Sequence, residues 1–316
     1  MKSFFSSLSF ALFCAALPLA ASADSAPIRP RITGISHIAV YASDPAQARA
    51  FYNGVLGCAA RPDPEVQGST RYSFNSHQSV EVLPLPANAG INRLDHIAYS
   101  TIDAEAMRRY LASKGVTVPP VITRGRDMFS QWFEIKDPEG NTVQFVQQRS
   151  AGTQVPTVIG HHIIHAGMLI HDQEAENHFY RDILGFRPYW HGGMQPDKTD
   201  WVALQVPDGT DWLEYMLTSG PSGSGIPANM SQHSLGVLNH FSVGVVNIKA
   251  AADAVHQKPG WESYPHDKGT QLGKDGKNQY NIYDADQTRV EFMEFAPVAK
   301  PCCSEFTGQH PSPSAD

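Results

Sequence analysis

Four histidines occupy matching positions in four short apolar segments of this 316-residue chain. Each is followed, seven residues later, by an Asp or an Asn. Imidazole side chains that recur at one position of a repeated segment can converge on a divalent metal ion when the segments pack together. The histidines are His37, His96, His165 and His240, and the residues that follow them are Asp44, Asp103, Asp172 and Asn247.

A second set of polar residues interrupts an apolar segment further along each repeat. A carboxylate inside an apolar strand either faces water or is buried with a partner. If the strands of two repeats curl into one barrel, these residues and the histidines converge. One set is then formed by the first half of the chain (His37, Glu81, His96 and Gln144) and another by the second half (His165, Glu214, His240 and Glu291).

Two imidazoles and one carboxylate that leave coordination positions open suit a divalent metal such as Fe(II), Mn, Ni or Zn. All four residues of the second set are competent ligands, so we predict the metal there. Gln144 is a weak neutral donor, which makes the first set an alternative second site. The competing interpretation is that the strand histidines are structural and the glutamates face solvent.

An internal repeat shows which elements position these residues. The segment from Ser36 to Gly57 matches that from Ile164 to Gly185 at a constant offset of 128 residues. In each repeat the His opens an alternating apolar strand, and the Asp or Asn is a typical helix N-cap. A Gly or Pro ends the helix, and three strands follow. We therefore predict an α+β protein of four βαβββ modules arranged as two related pairs.

The sequence also suggests domain boundaries. Residues 1–23 have the positive residue, short apolar stretch and small-residue cleavage site of a signal peptide, which predicts a secreted or periplasmic protein. No other segment has the ~18 apolar residues of a membrane span. We expect domain one at residues 31–149, a linker, domain two at 158–297 and a tail at 298–316. Residues Ser219–Asn229 are rich in Gly, Pro and Ser and are predicted to form a flexible loop that gates domain two.

Composition narrows the class of partner. The 24 Lys and Arg residues against 31 Asp and Glu give a net charge of −7, which disfavours nucleic acid. We expect a small-molecule substrate, and a homodimer stays open. Cleavage of the signal peptide would leave three cysteines, and the adjacent pair Cys302-Cys303 suggests a vicinal disulfide, a soft-metal clip or a thiol pair without function.

The four-module pattern resembles the vicinal oxygen chelate (VOC) superfamily, which includes glyoxalase I, extradiol dioxygenases and bleomycin-binding proteins. The likeness spans Ile32 to Phe295 and is carried by the strand histidines, the helix motifs and the turn 137–141. The helix motifs are Phe51-Tyr52…Leu56-Gly57 and Phe179-Tyr180…Leu184-Gly185. The resemblance implies two tandem VOC domains, each a cup-shaped barrel of two modules with a metal on its inner wall.

The resemblance leaves the reaction open between branches. Resemblance to extradiol dioxygenases implies that the metal ligands are His165, His240 and Glu291. In this chain, however, Asn281 stands where that branch has a Tyr. Glyoxalase-type enzymes use four ligands, matched here when Glu214 is added. We therefore expect lyase or isomerase chemistry by metal-assisted proton transfer, with Glu214 as the catalytic base. An Fe(II) dioxygenase and a non-catalytic binding or resistance protein are the alternatives.

Overall fold

The computed structural model describes residue 1 and residues 27–90, 92–148, 155, 157–217 and 238–313. The predicted signal peptide after residue 1, most of the predicted linker and the whole Ser219–Asn229 loop lie outside these described residues. Within them, no helix is both long enough and apolar enough to cross a membrane.

Domain one is a curled sheet of eight strands with its helices outside. Its spatial order is β2-β3-β4-β1-β5-β8-β7-β6, so the first strands of two modules pair antiparallel at the centre. In chain order the elements are β1 (Ile32–Ala42), α1 (Pro45–Arg49) with a π-helical continuation (Ala50–Val55), β2 (Ala59–Pro62), β3 (Thr70–Ser73), β4 (Ser79–Pro84), β5 (Leu94–Thr101), α2 (Ala104–Ser113), β6 (Thr123–Arg124), β7 (Gln131–Lys136) and β8 (Thr142–Gln147).

Domain two repeats this arrangement, with the order β10-β11-β12-β9-β13-β16-β15-β14. The predicted α+β fold with two βαβββ modules in each domain is confirmed. The elements are β9 (His162–Ile170), α3 (Gln173–Asn177) with a π-helical continuation (His178–Ile183), β10 (Arg187–Gly192), β11 (Trp201–Gln205), β12 (Trp212–Leu217), β13 (Leu238–Val245), α4 (Ile248–His256), a 3₁₀ turn (Trp261–Ser263), β14 (Gln271–Leu272), β15 (Asn278–Tyr283) and β16 (Arg289–Glu294).

Local sequence signals account for the helix ends. All four predicted N-caps accept a backbone hydrogen bond, as when Asp103 accepts from the N–H of Ala106. Gly57 follows the first helix with a φ of +79°, a left-handed conformation that favours glycine. A Cβ at Gly57 would also lie 2.2 Å from the carbonyl oxygen of Thr157. The glycine therefore ends the helix and allows the backbone at Thr157 to pack against it.

Strand alternation separates an apolar core from a polar cup. On β1 and β4, Ile38 and Val80 belong to a buried apolar cluster that continues from one domain into the other. Their neighbours His37 and Glu81 are also buried, but project from the opposite face because successive strand side chains alternate. This opposite face, the cup, collects the polar residues of each sheet.

The chain after β16 lies across domain two. Its backbone N–H groups bond to the β14–β15 turn, where Cys302 N donates to Lys274 O (2.7 Å), and then to β10, where Thr307 N donates to Tyr189 O (3.0 Å). These are the two opposite edges of the domain-two sheet. Residues 298–313 thus form a strap between the sheet edges, and Cys302 and Cys303 within it form a vicinal disulfide.

Candidate metal centres

The two imidazoles of domain two meet at the centre of the sheet. His165 on β9 and His240 on β13 bring their Nε2 atoms to 2.7 Å from each other. Glu291 on β16 places Oε2 3.4 Å from Nε2 of His165 and 3.8 Å from Nε2 of His240. All three residues are buried, and one ligand atom of each lies within 4.8 Å of the other two.

The chemistry of these donors fits a divalent metal. Among the described residues, no donor has hydrogen-bond geometry to the buried Oε2 of Glu291. A buried polar atom without a partner costs about 1–3 kcal/mol, and a cation that takes the oxygen as a ligand would remove this cost. Two imidazole nitrogens and a carboxylate oxygen are a donor set that Fe(II), Mn, Ni and Zn accept.

Glu214 lies beside this group rather than within it. From β12 it places Oε2 3.4 Å from Nε2 of His240, and its side chain is 16% exposed against 6% for Glu291. It also lines a cavity of about 310 Å³. The structure therefore brings all four predicted domain-two residues together, with three in the interior and Glu214 towards the cavity.

The cavity joins the ligand cluster to an apolar wall. Glu214, His240 and Glu291 line one part of it, and the cationic side chains Lys274 and Arg289 line another. The apolar wall consists of Trp190, Met194, Trp201, Met216, Leu272 and Met293. A small molecule with both polar and apolar parts suits such a lining.

Burial governs the ionisation of the domain-two cluster. It raises the pKa of Glu214 to about 8 and that of Glu291 to about 7. It also lowers the pKa of His165 and of His240 well below the usual value, with a further contribution from Lys277 or Arg289, respectively. Metal binding requires neutral imidazoles. A bound divalent cation would in turn favour the carboxylate forms.

Arg289 determines the tautomer of His240. Its Nη2 donates a hydrogen bond of 2.7 Å to Nδ1 of His240. In a neutral imidazole with an accepting Nδ1, the proton is on Nε2, here between the two rings. A metal held at this Nε2 would require the proton to be on Nδ1 instead, and Arg289, which can only donate, would then no longer bond to that nitrogen.

A buried lysine lies behind the cluster. Lys277 Nζ is 4.5 Å from the ring centroid of Trp212, which stacks on His165 at 4.4 Å. Among the described residues it has no hydrogen-bond partner, and burial lowers its pKa to about 8. Nothing in the sequence singles out Lys277, because it lies in the polar turn just before β15, where a lysine normally faces solvent.

The predicted residues of domain one also converge. His37 and His96 bring their Nε2 atoms to 2.9 Å from each other, and Oε2 of Glu81 lies 3.4 and 3.8 Å from them. Nδ1 of His96 lies 2.7 Å from Oδ2 of Asp95. Because the carboxylate accepts the Nδ1 proton, Nε2 is the unprotonated nitrogen of His96, as in carboxylate–histidine–metal sites.

Two unpredicted residues enter the domain-one cup. Arg71, on β3, places Nη2 3.4 Å from Nε2 of His37 and 3.5 Å from Oε2 of Glu81. Glu65, from the β2–β3 connection, belongs with His37, Glu81 and His96 to the group with ligand atoms within 4.8 Å. Gln144 instead donates from Nε2 to Glu65 at 2.7 Å. The presence of a charged residue within β3 was the available sequence signal for Arg71.

Both domains match one known protein family. The model of the glyoxalase/bleomycin resistance protein/dioxygenase superfamily matches residues 34–145 and 162–292, one match in each domain. No curated protein matches the sequence significantly.

Solved structures with the same fold are distant in sequence. The 2,3-dioxygenase LapB from Pseudomonas sp. KL28 is 14% identical, with a TM-score of 0.66 over 90% of this chain and 96% of that one. The Mn(II)-bound glyoxalase from Novosphingobium aromaticivorans is 15% identical, with 0.63 over 87% and 85%. Homoprotocatechuate 2,3-dioxygenase from Brevibacterium fuscum, in complex with 3,4-dihydroxyphenylacetate, is 16% identical, with 0.62 over 90% and 84%.

Proposed function

Since this chain belongs to the glyoxalase/bleomycin resistance protein/dioxygenase superfamily, we propose that it is a divalent-metal-dependent enzyme with its active centre in domain two. His165, His240 and Glu291 hold the metal, and Glu214 serves as the adjacent carboxylate. The observation that carries this proposal is the buried convergence of two Nε2 atoms and a carboxylate oxygen without a hydrogen-bond donor. The relatives with similar folds include a Mn(II)-bound glyoxalase.

The proposed reaction is a proton transfer of the lyase or isomerase type. When bound, the metal supplies a Lewis acid that polarises a carbonyl or enolate oxygen. Glu214 then takes a proton from the carbon next to that oxygen. Its position on the cavity wall suits a general base. Burial raises the pKa of Glu214 and so makes its carboxylate a stronger base, while a bound divalent cation would favour the ionised form that can accept the proton. Arg289, on the same wall, neutralises negative charge that develops on the substrate.

The cavity limits the substrate to a small oxygenated molecule. Its volume of about 310 Å³ is at the lower end of small-molecule sites. The tryptophans and methionines of its wall accommodate an apolar portion, while Lys274 and Arg289 favour an anionic group. Because residues 1–23 have the pattern of a signal peptide, we further propose that the enzyme acts outside the cytoplasm.

An Fe(II) dioxygenase is the second candidate, supported by the compact three-residue group His165, His240 and Glu291. One feature disfavours it. Asn281 stands where the dioxygenase pattern has a Tyr, and the adjacent Tyr280 does not take over that position, because its hydroxyl lies 3.2 Å from Nε2 of His256 on α4. Tyr280 therefore points into the apolar core, and Asn281 is the residue that pairs with Glu291 across the sheet.

Elemental analysis of the native protein, purified without chelators, tests the proposal. We expect about one divalent metal ion per chain, with most of it lost in His240→Ala and retained in His96→Ala. These variants are matched controls because the two histidines occupy equivalent positions. If the bound metal is lost in His96→Ala and retained in His240→Ala, the metal centre lies in domain one. Absence of metal from a folded protein that still binds small molecules would favour a non-catalytic binding protein.

A further inference from the structure

We propose that domain one contains a second metal-ligand cluster in which the guanidinium of Arg71 takes the place of the metal ion. The cluster consists of His37, His96, Glu81 and Glu65. This inference concerns domain one only and does not depend on the reaction proposed for domain two.

The position of the guanidinium supports this inference. Its Nη2 lies close to three members of the cluster: 3.4 Å from Nε2 of His37, 3.5 Å from Oε2 of Glu81 and 2.5 Å from Oε1 of Glu65. The side chain is 1% exposed and therefore cannot exchange these contacts for water. A cation thus already faces the atoms that would bind a metal.

The guanidinium is held in place by acids from the β2–β3 connection. Asp63 accepts from Nε of Arg71 at 2.8 Å, and both side chains are buried. Glu65 is oriented by Gln144, which donates to Oε2 at 2.7 Å. A buried charge requires such partners. Gln144 therefore positions Glu65 beside Arg71, rather than serving as a metal ligand alongside the two histidines.

The equivalent position in domain two lacks this cation. Arg71 pairs directly with Glu81 across β3 and β4, and its counterpart opposite Glu214, across β11 and β12, is Ala203. Directly opposed residues of antiparallel strands project from the same face. The difference of one side chain therefore leaves room beside the imidazoles in domain two and fills that room in domain one.

The remaining ligands of domain one are oriented for a metal. His96 donates its Nδ1 proton to Asp95, which leaves its Nε2 unprotonated, in contrast to His240, whose Nδ1 accepts from Arg289. Two imidazoles and two carboxylates are sufficient for Zn, Mn or Fe(II). Arg71 is therefore the residue that excludes a divalent cation, and its removal should expose a working site.

Zinc stoichiometry after removal of the domain-two ligands provides the test. In a His165→Ala/His240→Ala background, we expect no tightly bound Zn²⁺ after incubation with Zn²⁺ and desalting. Addition of Arg71→Ala should raise this to about one ion per chain. Further addition of His96→Ala should abolish the gain. Co²⁺ in place of Zn²⁺ should give visible absorption bands only in the Arg71→Ala background.

Two further variants distinguish the role of the charge from a general loosening of the domain. Arg71→Lys retains a cation and should stay free of Zn²⁺. Arg71→Met retains an apolar stem without the charge, so it should bind one Zn²⁺ and show a higher melting temperature when Zn²⁺ is added. Folded Arg71→Ala or Arg71→Met chains without Zn²⁺ would overturn the proposal. If neither variant folds, the His165→Ala/His240→Ala chain itself provides the test. The proposal would be overturned if that chain retained Zn²⁺ and lost it when His96→Ala was added.

Discussion

The hydroxyl of Tyr52 in domain one donates a hydrogen bond of 2.9 Å to Oδ2 of Asp284 in domain two. Both residues are buried. Asp284 lies in the turn before β16, the strand of Glu291, and its Oδ1 accepts from the N–H groups of Asp286 and Thr288. The contact thus connects the helix after β1 to the turn that positions a proposed ligand.

Replacement of Tyr52 by Phe should therefore destabilise the protein. It leaves one oxygen of buried Asp284 without its donor, which costs about 1–3 kcal/mol. Urea denaturation followed by circular dichroism measures the change. Tyr180→Phe is the matched control, because Tyr180 occupies the equivalent position in the repeat and its buried hydroxyl has no partner among the described residues. Equal losses in both variants would show that the Tyr52–Asp284 bond is not the cause.

Glu176→Gln should change how stability depends on pH. Burial, followed by the nearby Asp137, raises the pKa of Glu176 to about 8. Because the folded-state pKa lies above the unfolded value, the contribution of Glu176 to stability is complete below about pH 4.5 and is lost as the pH rises to about 8. The loss is at most roughly 1.4 kcal/mol per pH unit.

The variant lacks this ionisation but keeps an oxygen to accept from the N–H of Glu139. It should therefore gain stability relative to the wild type as the pH increases from 5 to 8.5. Urea denaturation at several pH values gives the difference. The exposed neighbour Glu174 provides the control, and a pH profile of Glu176→Gln parallel to the wild type would refute the prediction.

Glu214→Gln should separate the two candidate reactions once a substrate is found. If Glu214 is the base, turnover should decrease about 10²–10⁴-fold, while most metal stays bound to His165, His240 and Glu291. The wild-type enzyme should also be fully active under strict anaerobiosis. Product formation that requires O₂ would instead support the dioxygenase.

Phe306→Ala should loosen the strap across domain two. The ring of Phe306 packs 4.8 Å from Tyr189 and lies 5.2 Å from Nζ of Lys277. Because Phe306 is only partly buried, we expect a loss of about 1–3 kcal/mol, less than for a fully buried Phe. Phe129→Ala, at a ring that is 55% exposed, serves as the control. Unchanged unfolding of Phe306→Ala would show that the strap does not stabilise the sheet edges.

The sequence alone determined the modules and the candidate ligand residues that the structure brings together. The register of His37, His96, His165 and His240 is a repeated local pattern, and the N-cap of each helix requires only residues three or fewer positions away. Strand alternation then predicts which residues share a face with Glu81 or Glu291. Such features depend on neighbours in the chain, so they are visible without coordinates.

Only the tertiary structure decided what fills each cup. Arg71 and Ala203 cannot be distinguished by local pattern. Only the alignment of β3 with β4 brings Arg71 to the imidazole of His37 and the carboxylate of Glu81. Lys277 meets Phe306 because the strap returns across the sheet. Tyr280 and Asn281 are adjacent, yet the pleat sends the first into the core and the second towards Glu291. These outcomes depend on contacts between distant segments, whose partners are determined by three-dimensional packing and not by local pattern.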